Sequence, residues 1–205
     1  GAPAEPAPHV GPKRVLISFG GVDAADVTAT VFAALSGSAF ADVEIDVVVG
    51  DGYAHRARLE AAIAARPGAR LHVQLPSLAP LLSTIDIAIG AAGVSAWERF
   101  ALGVPTVLVT LADNQFPASC DLDAAGIAVH LGRSSALDTT ALQREVRALL
   151  GDADRRGGMA LRGQLLVDGW GARRAAEILY PTRTDALRLR QAGMDHIGYL
   201  FELSN

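Results

Sequence analysis

Six short, almost wholly apolar runs alternate with helical stretches along this sequence. The runs are "RVLISFGG" (14–21), "VEIDVVVG" (43–50), "ARLHVQL" (69–75), "DIAIG" (86–90), "PTVLVTL" (105–111) and "IAVHLG" (127–132). The intervening spacing predicts helices near 25–35, 54–66, 77–85, 95–103 and 114–125, followed by helices at 139–150, 152–167 and 171–179. Pro80 is compatible with an early turn of its helix, and Gly103 closes the one before the fifth run. Strands that are apolar on both faces must be covered on both faces, which calls for a parallel sheet between two helical layers. Right-handed crossovers then give an α/β, Rossmann-like, doubly wound domain. Such sheets bind ligands beyond the carboxyl ends of their strands. The stretches that matter are therefore "FGG", "LP", "GAAG" and "TLADNQ".

Half of the 205 residues are hydrophobic, which is ample for one core and marginal for two. With a formal net charge of -4, the chain has no overall field to attract nucleic acid or an anionic membrane. Any phosphate must be held by local backbone and dipoles. Cys120 is the single cysteine, so an internal disulfide is excluded, which fits a reducing cytoplasm. No base adjoins it in sequence, and it reads as a small buried hydrophobe. No run approaches the roughly 20 apolar residues of a membrane span. His9, His55, His72, His130 and His196 show no metal spacing, and no G-x-S-x-G elbow occurs. Residues 1–12, rich in proline and alanine, lack the apolar middle of a signal peptide and read as a linker or disordered lead-in.

Three strand ends carry chemistry. In "SFGGVD", Gly20 and Gly21 let backbone approach a ligand, or they form a tight turn with Asp23 capping the next helix. In "GAAGVSAWE", Gly90 and Gly93 flank two alanines, so the loop is open and the next helix presents its amides and positive dipole end. A diphosphate suits that position. Glu98 lies about a turn into the helix. Its carboxylate can accept both hydroxyls of a ribose, or it is a solvated glutamate paired with Arg99 or another base. In "ADNQ", Asn114 and Gln115 can donate to phosphate or sugar oxygens; alternatively Asp113 or Asn114 caps a helix.

The motifs "ISFGGVD", "LLSTIDIAIGAAGVSAWERFALGVPTVLV", "ADNQ" and "VDGWGARRAAEIL" occur in that order over roughly 15–179. Together they resemble the C-terminal domain of the UDP-sugar hydrolase of pseudaminic acid biosynthesis, a relative of spore-coat polysaccharide proteins. More distantly, the chain is similar to the nucleotide-binding half of the transferase that adds N-acetylglucosamine to the lipid-linked peptidoglycan precursor. The resemblance implies the C-terminal half of a GT-B fold over 13–181. It places the diphosphate of a UDP-sugar on Gly93, Val94 and Ser95, and the ribose on Glu98. Uracil would lie against backbone near Leu75. Gly20 and Gly21 would line the cleft, with Asn114 and Gln115 facing sugar or phosphate. The implied chemistry is metal-free and cofactor-free attack of water on the anomeric carbon of a UDP-linked diacetamido-trideoxy sugar, in nonulosonic acid or surface polysaccharide synthesis. The protein is expected to be cytoplasmic and natively monomeric.

The family has serine or threonine where this chain has Val22 and Val94, so two hydroxyl contacts are missing. The family's N-terminal domain, which carries the histidine proposed as general base, is also missing from this sequence, so the chain reads as half of an active site. The tail "DALRLRQAGMDHIGYLFELSN" (185–205) resembles the opening of a GNAT acetyltransferase, making 182–205 the start of a further domain or else an ordinary amphipathic helix. Three functions stay open: a hydrolase half, a glycosyltransferase or epimerase half, and a non-catalytic nucleotide-binding module.

Overall fold

The computed structural model describes residues 13–179. The lead-in over 1–12 and the tail assigned to an acetyltransferase start lie outside the described residues. Six parallel strands form one sheet: β1 (Lys13–Ser18), β2 (Val43–Val49), β3 (Ala69–Val73), β4 (Ile87–Gly90), β5 (Thr106–Thr110) and β6 (Ala128–Arg133). Their spatial order is β3-β2-β1-β4-β5-β6, so the order reverses between β1 and β4. This is the doubly wound arrangement expected from the alternation, and its crevice opens at that reversal.

Each face of the sheet carries its own helices. Val15, Ile17, Ile45, Val47, Ile89 and Val107 point to one face. They pack under α1 (Val27–Ala34), α2 (Arg56–Ala64) and α6 (Thr139–Gly151). Leu16, Val48 and Ala88 point to the other face with Leu82 of α3 (Ala79–Leu82). Beside them, Leu108 meets Ala96 and Phe100 of α4 (Val94–Ala101) and Leu122 of α5 (Phe116–Ala124). Period-two alternation in buried strands thus feeds hydrophobic packing on both faces of the sheet. Two more helices follow, α7 (Ala153–Leu166) and α8 (Gly171–Leu179). α7 closes against α4, where Gly163 lets the backbone of Phe100 approach.

Cap chemistry sets several helix starts. Both carboxylate oxygens of Asp23 accept from α1, from the amides of Val27 at 3.1 Å and Thr28 at 2.7 Å. Asp138 caps α6 and Asp152 caps α7. In the middle of β2, Asp46 is fully buried. It takes Nη2 of Arg14 at 2.7 Å and Nε2 of His72 at 2.8 Å. Lys13 and the amide of Arg14 both bind the carboxylate of Asp86 ahead of β4. These pairs tie β1, β2, β3 and β4 together where α3, only four residues long, leaves the sheet thinly covered.

Cys120 departs from the sequence reading. Ser119 and Leu122 carry the buried side of α5, which turns Cys120 out to solvent. Its Sγ lies 3.7 Å from Nδ1 of His130 on β6, ten residues away in sequence and adjacent only through the packing of α5 on β6. Among the described residues, no group of three or more His, Cys, Asp or Glu is placed to hold a metal ion. No helix among them is long and apolar enough to cross a membrane.

Candidate functional site

The carboxyl ends of β1 and β4 meet at the reversal, where Ser18 pairs with Gly90. Gly90 is a necessity of packing. A Cβ there would sit 2.2 Å from the carbonyl oxygen of Ser18 and 2.5 Å from Nη1 of Arg99. Past β1, Gly20 has a φ of +93° and nothing crowds it. That left-handed backbone suits glycine and leaves the loop open. Gly21 is held from the β2 side, because a Cβ on Gly50 would lie 2.6 Å from the Cα of Gly21.

From β4 the chain passes through Ala91, Ala92 and Gly93 into α4. Gly93 is the N-cap, in extended conformation, and no side chain caps the helix or adds acid to its first turn. The helix end therefore meets the crevice as backbone amides and dipole, the arrangement that receives anions. Val94 is 80% exposed and Val22 62% exposed. Both valines are turned to solvent. Trp97 is partly exposed beside them, edge-on to Phe100.

Gln115 enters from the β5 side. Its Oε1 accepts from the amide of Leu111 at 3.2 Å, which turns Nε2 toward Gly93, 4.0 Å from where a Cβ would be. Asn114 is exposed in the same turn. Neither Asp113 nor Asn114 caps α5, and Asp113 instead pairs with Arg133 at 2.6 Å. So the structure brings Gly20, Gly21, Gly93, Val94, Ser95 and Gln115 to one edge of the sheet. Leu75 stands further along that edge, beyond β3, with its side chain packed near Leu16, Val48 and Leu82. Gln74 links this end to the β2 loop by accepting from the amide of Asp51.

Glu98 is half-buried, five residues into α4, and its charge acts on Arg99. Arg99 is 1% exposed. Its Nη2 donates to the carbonyl of Ala91 at 2.6 Å. Burial pushes the guanidinium down to about 10, and the charge of Glu98 opposes the shift without cancelling it. Sequence reading named Arg99 only as a partner for Glu98. The signal that places it inside is helical spacing, since Ala96, Arg99 and Phe100 share the buried face of α4.

No family model matches the chain. It is 25% identical over 168 residues to the spore coat polysaccharide biosynthesis protein SpsG of Bacillus subtilis. That match covers 82% of this chain and 50% of SpsG, so the chain spans about half the length of this curated relative. Among solved structures, it superposes on the spinosyn rhamnosyltransferase SpnG complexed with thymidine diphosphate, with a TM-score of 0.65, 24% identity, and coverage of 82% of this chain and 45% of that one. The calicheamicin glycosyltransferase CalG4 gives a TM-score of 0.63 at 22% identity, over 83% of this chain and 42% of that one. MurG of Acinetobacter baumannii gives 0.57 at 21%, over 78% and 47%. The chain has the fold of the C-terminal half of a GT-B glycosyltransferase. In each comparison it accounts for half of the other protein or less.

Proposed function

We propose that this chain is the nucleotide-holding half of a GT-B-type enzyme that takes a UDP-sugar in polysaccharide synthesis. The observation that carries this reading is the open, uncapped amino end of α4 at the β1–β4 reversal, flanked by bare glycine backbone and the amide of Gln115. A diphosphate seated on the amides of Gly93, Val94 and Ser95 would gain from the helix dipole. Glu98 would accept the ribose hydroxyls, and backbone near Leu75 would meet the uracil. Gln115 and Asn114 would face the β-phosphate or the sugar. As the anomeric bond breaks, charge grows on the leaving diphosphate, where fixed amides stabilise it without reorganising. Binding energy from the remote nucleotide would orient the reacting carbon.

The acceptor, and any general base, would come from a second domain facing this one. Similarity to glycosyltransferases on the structural side favours transfer to an acceptor. Hydrolysis, the reading suggested by the "GAAGVSAWERFALGVP" run, uses the same nucleotide half with water as acceptor. Calorimetric titration of this chain with UDP tests the shared part. A Kd between micromolar and millimolar, roughly -4 to -8 kcal/mol, is expected. Folded protein that takes up no UDP would sink the reading. Release of free sugar, as against glycoside, by a two-domain protein carrying this half separates hydrolysis from transfer.

A further inference from the structure

Arg99 is a buried cation with too few partners. Nε and Nη1 have no hydrogen-bond partner, and Nη2 has one carbonyl. Two other arginines among the described residues, the buried Arg66 and the part-buried Arg14, are handled differently. Arg66 donates to the carbonyls of Phe40 and Val43 at 2.8 and 2.9 Å and to that of Pro67 at 3.2 Å. Arg14 lies on the carboxylate of Asp46. Burying a charge without a hydrogen-bonded counter-ion is costly, and α4 carries that cost directly beneath the loop from Gly90 to Ser95. The absence of a side chain at Gly90 is what lets Nη1 press against the loop's backbone.

We propose that Arg99 is the internal counter-charge of the ligand site, selecting a diphosphate over an uncharged nucleoside. This rests on the nucleotide reading of the same loop. The guanidinium sits in a low-dielectric interior, so its field reaches the loop less screened than that of a surface base. Glu98 offsets part of that charge. A ribose that hydrogen-bonds Glu98 engages that carboxylate while the diphosphate meets the cation, so the two ends of the nucleotide are read by neighbouring residues of one helix turn. Arg99 need not touch the phosphates; it acts through the loop it supports and is a specificity-determining residue, not a catalytic one.

Wild type, Arg99→Met and Arg99→Lys are titrated with UDP, inorganic pyrophosphate and uridine. In Arg99→Met, affinity for UDP and pyrophosphate should fall about 10- to 100-fold while that for uridine stays within about twofold. Arg99→Lys should recover most of the loss, and the melting temperature of empty Arg99→Met should equal or exceed that of wild type. If Arg99→Met does not fold, Arg99→Gln against Arg99→Lys gives the same comparison. Unchanged affinity for both UDP and uridine overturns the role of Arg99 and leaves the nucleotide reading standing. Equal losses of UDP and uridine overturn it in favour of a purely structural arginine. If wild type binds neither UDP nor pyrophosphate, the nucleotide reading fails and this proposal fails with it.

Discussion

Three side chains separate binding from folding. Glu98 is the proposed ribose acceptor, so Glu98→Ala should cost about 1–3 kcal/mol of UDP affinity by calorimetry, as for a hydrogen-bonded group left without its partner. Val94, the first residue of α4, is 80% exposed. Val94→Thr should leave stability within about 0.5 kcal/mol. It should tighten UDP by about 0.5–1.5 kcal/mol if the added hydroxyl reaches phosphate. No change in affinity would mean the position lies outside the phosphate's reach. Asp46 lies inside the sheet, midway along β2. Asp46→Ala removes the carboxylate that Arg14 and His72 share, leaving Arg14 its contacts with Thr84 and Glu44, and urea unfolding should show a loss of about 1–3 kcal/mol. UDP affinity of the folded fraction should not change.

At the level of elements, the crevice depends on how closely β1 and β4 approach. Gly90 pairs with Ser18 and leaves no room for a Cβ against that carbonyl or against Arg99. Gly90→Ala must part the strands or displace the guanidinium. Thermal or urea unfolding should register a loss of about 1–3 kcal/mol, typical of overpacking. UDP binding should weaken as well, because the loop rides on this strand end. Gly20 makes the useful contrast. A Cβ there meets nothing, so Gly20→Ala should cost only the strain of its positive φ, about 1–2 kcal/mol. A Gly90→Ala protein as stable as wild type would show that the β1–β4 approach is softer than its distances indicate.

The described residues form one sheet with hydrophobic packing on both faces, and the proposed ligand edge lies at the carboxyl ends of its strands. A nucleotide that binds only the folded state should stabilise it by mass action. UDP at about 100 times its Kd should add roughly 2.7 kcal/mol of stability, read as a rise in melting temperature. The same chain should turn over no UDP-sugar by itself, since the proposed site has one wall. Steady release of sugar from this chain alone would refute the two-domain mechanism.

The order of apolar runs and helices determined the fold class, because strands buried on both faces admit few solutions. Local spacing also revealed the open loop before α4 and the cap at Asp23, since glycines and short acidic side chains act within a few residues of themselves. Tertiary structure decided the rest. Which strands are neighbours is a property of crossovers, so the meeting of Ser18 with Gly90 and of Gln115 with Gly93 could not be read along the chain. Cys120 came to His130 in the same way. Arg99 is the sharpest instance. Its letter in the sequence is that of a solvated helix cation beside Glu98. Only the packing of α4 on the sheet turned it inward, because helical periodicity assigns it the same face as Ala96 and Phe100, and burial is decided by what that face meets.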